Sequence, residues 1–142
     1  MLSPYLIAIM SGWIVAQGLK YIFVAISNRN FDHIRQLYLS GNMPSAHSAT
    51  TVALATVVGL INGIDGPLFA IAGLFAAVVM YDAIMVRRSV GEQGIALQTL
   101  INLAKNQHIV IPRAAKGHTP LEVLAGAILG LVIGLIVFFA TK

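Results

Sequence analysis

Long apolar runs alternate with polar stretches along this chain, and the alternation predicts helices before any single residue is considered. Four runs, at 4–26, 45–62, 67–86 and 120–140, approach the roughly 20 residues that carry a helix across the hydrocarbon core of a bilayer. Between the second and third lies only Gly63-Ile64-Asp65-Gly66, whose glycines and aspartate suit a tight reversal, so these two spans read as an antiparallel hairpin. The first run is expected to remain as a span rather than act as a cleaved signal. No Lys or Arg precedes it, its apolar stretch is too long, and no clean small-x-small site follows.

The other two connections are long and polar. Residues 27–44 hold Arg29, Asp32, His33 and Arg35, and residues 87–119 hold Arg87, Arg88, Glu92, Lys105, His108, Arg113, Lys116 and His118. Within the second, a helix is expected over about 89–104, with Val90, Leu97, Ile101 and Ala104 on one face, lying at the membrane interface. Gly91 and Gly94 weaken it. Four crossings put both connections on one side, which carries seven of the nine basic residues, whereas Lys142 lies on the other. The positive-inside rule therefore turns both connections towards the cytoplasm.

Composition confirms the solvent. Of 142 residues, 58% are hydrophobic and 10% charged, against roughly 25% charged in soluble domains; the mean hydropathy is +0.85. There is no cysteine, which excludes disulfides and thiolate metal sites. The net charge of +4 is read as topology signal and anionic-lipid contact, not as a nucleic-acid surface.

Two histidines stand at the mouths of two apolar runs, His47 in Pro44-Ser45-Ala46-His47-Ser48 and His118 in Gly117-His118-Thr119-Pro120-Leu121-Glu122. Steps of four from His47 reach Thr51, Ala55 and Gly59, and from His118 they reach Glu122, Gly126, Gly130 and Gly134. Each histidine thus tops a stripe of small residues, the kind that lets helices approach closely in lipid. Lys20, Asp82 and Glu122 lie near the same membrane face, and ionisable groups within spans cost enough to be paired or functional. Structural readings stand beside the chemical one. Lys20 and Asp82 could be an ion pair joining two helices. Thr119, Pro120 and Glu122 fit a capping box, and Ser45 fits an ordinary N-cap. His33 and His108 lack such company and read as loop residues.

These residues carry a family resemblance. Pro44-Ser45-Ala46-His47 resembles the Pro-Ser-Gly-His motif of the type 2 phosphatidic acid phosphatase and vanadium haloperoxidase superfamily, and His118 to Gly126 resembles its His-x-x-x-Asp motif with the following Ala-Gly. The closer match is to that superfamily's divergent membrane branch. Its pattern of Met-Pro-Ser-x-His-Ser-Ala, Tyr-Asp-Ala-x-Gly-Val-Arg-Arg and Gly-His-Thr-Pro-x-Glu-Val is seen at residues 43–49, 81–88 and 117–123. Glu122 stands in place of the wider superfamily's Asp, Met85 in place of Gly, and Pro112 where an Arg precedes the second histidine.

The resemblance implies His118 as the nucleophile that takes a phosphoryl group, Glu122 as its orienting partner and His47 as the general acid. It implies phosphate binding by Lys20, Ser45 and the first amides of the second span, with Arg87 or Arg88 supplying the charge missing at Pro112, and Asp82 and Ser48 as further site candidates. Such a phosphatase needs no metal or other cofactor. The expected architecture is all-α and a single domain over 1–142: an integral membrane bundle of four transmembrane helices plus an interfacial amphipathic helix. It would sit in a bacterial-type inner or plasma membrane, with its site towards the cytoplasm. Expected partners are a lipid phosphate substrate, membrane lipids and, through glycine stripes left over, a second copy in a homodimer. The alternative is a noncatalytic membrane protein that binds anionic lipid or scaffolds a partner on the same basic surface.

Overall fold

The computed structural model describes residues 3–28, 43–104 and 117–142, and among these every element is helical. Helix α1 is Pro4–Asn28, α2 is Ala46–Asn62, α3 is Pro67–Tyr81, a π-helical turn covers Asp82–Val86, α4 is Arg87–Leu103 and α5 is Pro120–Thr141. His33 and His108 lie outside the described residues.

Local chemistry explains where these helices start and stop. Pro67 and Pro120 open α3 and α5, where a missing N–H costs nothing and the fixed φ suits a first turn. Ser45 caps α2 by accepting the Ser48 N–H. At the far end of α2, Gly63 adopts φ 85° and its N–H returns to Gly59 O, so the chain reverses within a few residues on a conformation that side chains disfavour. The α2–α3 hairpin expected from the sequence is present.

The polar segment after α3 differs from the expectation of a break followed by a separate helix at 89–104. The chain stays helical from Tyr81 to Val90, so α3 runs through the π turn into α4 as one rod, Pro67–Leu103, of 37 residues. At 1.5 Å per residue it is about 55 Å long, well beyond the roughly 30 Å of a bilayer core. Pro4–Ile26, Pro67–Leu103 and Pro120–Thr141 are each long and apolar enough to cross a membrane. Helix α2 is apolar but has 17 residues, or about 25 Å, slightly short of a full crossing.

Helix α2 is central, packing on α5, α1 and α3, while α1 also meets α5 and the π turn touches α5. The core is built from small residues: Ala8, Ala53 and Val57 meet Ile133 and Val137, and Ala16 meets Ala46 and Ala49. Glycines set the approach of α5. A Cβ on Gly126 would lie 2.5 Å from Ser45 O, one on Gly130 would overlap Ala49 O, and one on Gly134 would lie 2.6 Å from Thr56 Cβ. The stripe below His118 therefore seats on positions 45, 49, 53 and 56 of α2. Helix α2's other stripe, with Ala55 and Val58, turns instead to Ala72 of α3, and Gly59 faces Phe69. Two similar stripes thus serve two different neighbours. A Cβ on Gly18, Gly63 or Gly73 would meet nothing within 4 Å, though Gly63 has the positive φ of the turn.

Candidate functional site

The starts of α2 and α5 are bound to one another. The Ser45 N–H donates to Glu122 O at 3.1 Å, which ties the cap of α2 to the first turn of α5. Gly126, four residues on, leaves the room this bond needs. His118 precedes the α5 cap Thr119, so its ring falls beside the first turn, and its Nδ1 meets Glu122 Oε2 at 3.0 Å. The same oxygen accepts the Thr119 N–H at 3.0 Å, and Thr119 Oγ1 accepts the Glu122 N–H at 3.3 Å. The capping box and the histidine partner are therefore one arrangement rather than alternatives. An ionised carboxylate only accepts, so Nδ1 is the donor in this contact, and in the neutral ring the lone pair is on Nε2.

The His118 backbone is held from a third direction. Its N–H donates to Ala83 O in the π turn at 3.2 Å. Just before it, Gly117 lies so close to Arg88 that a Cβ would overlap the Arg88 backbone nitrogen and Cα.

Around His47 the charged groups converge. Arg87, His118, Lys20 and Asp82 all lie within electrostatic reach of His47, and Glu122 within reach of Lys20. Lys20 and His118 are each 7% exposed, whereas His47 is exposed and the Arg87 side chain is 48% exposed, so the open side of the cluster is the His47–Arg87 side. Arg87 Nε binds Asp82 Oδ2 at 2.6 Å. Asp82 is thus engaged by Arg87, within its own rod. The pair is five residues apart, which on an α-helix would put the two side chains about 140° apart; the π turn brings them together.

Sequence reasoning grouped Arg87 with Arg88, and the structure separates them. Arg88 Nε turns along α4 to Glu92 Oε1 at 3.1 Å, and its contribution near His118 is its backbone. Ser45 and Ser48 are fully buried, Ser48 Oγ donating to Ser45 Oγ at 3.0 Å, so Ser45 acts as the α2 cap and its hydroxyl has no open face. Two contributors escaped the sequence reading: the carbonyl of Ala83 and the seat that Arg88 offers Gly117. Backbone groups leave no residue-type signal, and only the adjacency of Gly117 to His118 pointed to the second.

The model of the Divergent PAP2 family matches residues 2–133. The chain is 34% identical, over 148 residues, to the "Uncharacterized membrane protein YuiD" of Bacillus subtilis (strain 168), an alignment that spans 94% of this chain and 93% of that protein. No solved structure matches.

Proposed function

The chain belongs to the Divergent PAP2 family and is a membrane protein, and from that premise we propose that it hydrolyses a lipid phosphomonoester or pyrophosphate through a phosphohistidine at His118. The observation that carries this reading is the part-buried His118–Glu122 pair, which in the neutral ring leaves the Nε2 lone pair free, beside a cluster of Lys20, His47 and Arg87.

In the first step Nε2 of His118 attacks phosphorus, the bond to the leaving oxygen breaks, and His47 gives that oxygen a proton. Glu122 stabilises the positive charge that forms on the imidazole. Lys20, Arg87 and the first amides of α2, kept in place by the Ser45 cap, hold the phosphoryl oxygens. Water then attacks the phosphohistidine, His47 takes its proton, and inorganic phosphate leaves with Nε2 regenerated. No metal enters these steps. A site at the end of the bundle meets lipid head groups without extracting them, so phosphatidic acid, phosphatidylglycerophosphate and polyprenyl diphosphates are the first substrates to try. In this reading α2 is a fourth, short crossing, α4 carries the α3 rod out beyond the bilayer core, and the site opens towards the cytoplasm.

The test is phosphate release by purified protein across these lipids in detergent, with and without chelator and vanadate. Turnover that survives chelator and is inhibited by vanadate, a pentavalent mimic of the transition state, is expected. Lipid binding without turnover on any of them would replace the phosphatase with a lipid-binding protein. Orientation is tested separately. Single cysteines at Ser40 and Gln107 should be shielded from an impermeant thiol reagent in intact cells while one at Asp65 is labelled; the reverse pattern would place the site outside.

A further inference from the structure

The π turn between α3 and α4 lies against the backbone of His118, and its hydrogen bonding explains how. In a regular helix the Arg87 N–H would reach back four residues to Ala83 O. Here it reaches back five, to Asp82 O, so Ala83 O lacks that donor and accepts the His118 N–H instead, at 3.2 Å. Ala83 is 3% exposed, so water offers its carbonyl no easy substitute. One residue earlier, Gly117 sits on the backbone of Arg88 with no room for a Cβ. Two consecutive residues of the chain entering α5 are therefore seated on one joint of the α3–α4 rod.

We propose that this joint is a positioning device for His118, in which the π-turn carbonyl of Ala83 and the Gly117–Arg88 seat fix where the imidazole stands. Glu122 governs the rotation and tautomer of the ring through its side chain; the π turn governs the location of the backbone that carries the ring. The two act on different atoms, so neither substitutes for the other. Removing the extra residue of the π turn makes the Arg87-to-Asp82 bond an ordinary four-residue one and gives Ala83 O the Arg88 N–H as donor, which withdraws the acceptor from His118. Adding a Cβ at Gly117 pushes the entering chain off Arg88. Both displace Nε2 from the Lys20–Arg87–His47 cluster while leaving those groups in place. The kinetic consequence rests on the phosphatase reading; the structural one does not.

The experiment uses the full chain in detergent, with Gly117→Ala, with a deletion of Ile84 that removes the extra residue, and with Gly73→Ala as a control in open space. The first readout needs no turnover: the rate at which diethyl pyrocarbonate modifies His118 and His47, followed by mass spectrometry. In the parent protein His118 should react more slowly than the exposed His47. In Gly117→Ala and in the deletion the His118 rate should rise about tenfold, with His47 unchanged and Gly73→Ala like the parent. An unchanged His118 rate in whichever of the two variants elutes as folded protein overturns the proposal. The second readout is kinetic, per folded protein. Displacement of the nucleophile alone lowers kcat by about tenfold or more with KM near the parent value. A parent-like kcat, or a loss confined to KM, overturns it. A parent protein without turnover defeats the phosphatase reading, and the labelling then decides the positioning role on its own.

Discussion

At the start of α2 the cap Ser45 is sealed and the histidine two residues further on is exposed; at the start of α5 the histidine just before the cap is sealed and bound to the carboxylate of the first turn. The difference follows from where each histidine stands relative to its cap. His47 is already inside the helix, so its ring projects outward from the first turn, towards the open side. His118 is outside the helix, so its ring falls alongside the turn and meets Glu122, the third helical residue, whose side chain also closes the capping box. A shift of three positions along otherwise similar motifs thus separates an accessible imidazole suited to exchanging protons from a fixed one suited to attack.

The sharpest way to break this comparison is to remove each ring in turn. His118→Ala should lower kcat by at least about a thousandfold on every substrate, with melting in detergent unchanged. His47→Ala should cost roughly a hundredfold on a lipid monoester and little on p-nitrophenyl phosphate, whose leaving group needs no proton. Equal losses on both substrates for His47→Ala would erase the proposed division of roles.

Next in size is the carboxylate that only the α5 histidine has. Glu122→Gln keeps an oxygen for the Thr119 N–H but loses the charge that stabilises the imidazolium, so kcat should fall by about ten- to a hundredfold with the helix intact by circular dichroism. A fall in helicity matching the fall in kcat would reduce Glu122 to its capping role.

The smallest effect concerns the close approach of α5 to α2 further along the stripe below His118. Gly130→Ala forces a Cβ into Ala49 O and should destabilise the bundle by about 1–3 kcal/mol in reversible detergent unfolding. Gly73→Ala meets nothing and should be neutral or stabilising by up to about 1 kcal/mol. Equal stabilities for these variants would mean that α5 does not rest on α2 as closely as its glycines indicate.

Much of this was legible from residue types. Apolar runs marked α1, α3 and α5, whose bounds fall close to those read from the sequence, and Gly63-Ile64-Asp65-Gly66 marked the hairpin, because each depends on local solvation and turn chemistry. The His118–Glu122 spacing marked the pair, although the contact is made by a ring just before the cap falling beside the first turn of α5 and not by two positions of one helix. The choice of Arg87 over Arg88, and of Arg87 as the partner of Asp82, was not legible: both depend on a π turn whose extra residue no pattern of side chains announces.

By itself, then, the chain's sequence determined that it is a membrane protein, where α1, α2, α3 and α5 begin, and which histidines and charges gather at one end of the bundle. These follow from transfer free energies, caps and helical period, all properties of short segments. The tertiary structure alone decided which small-residue stripe faces which helix, that Ser45 is sealed while His47 is open, and that the amide of His118 is held by a carbonyl from another helix. Those outcomes depend on backbone groups meeting across helices, and a backbone carbonyl is the same in every residue until the fold removes its usual partner and supplies another.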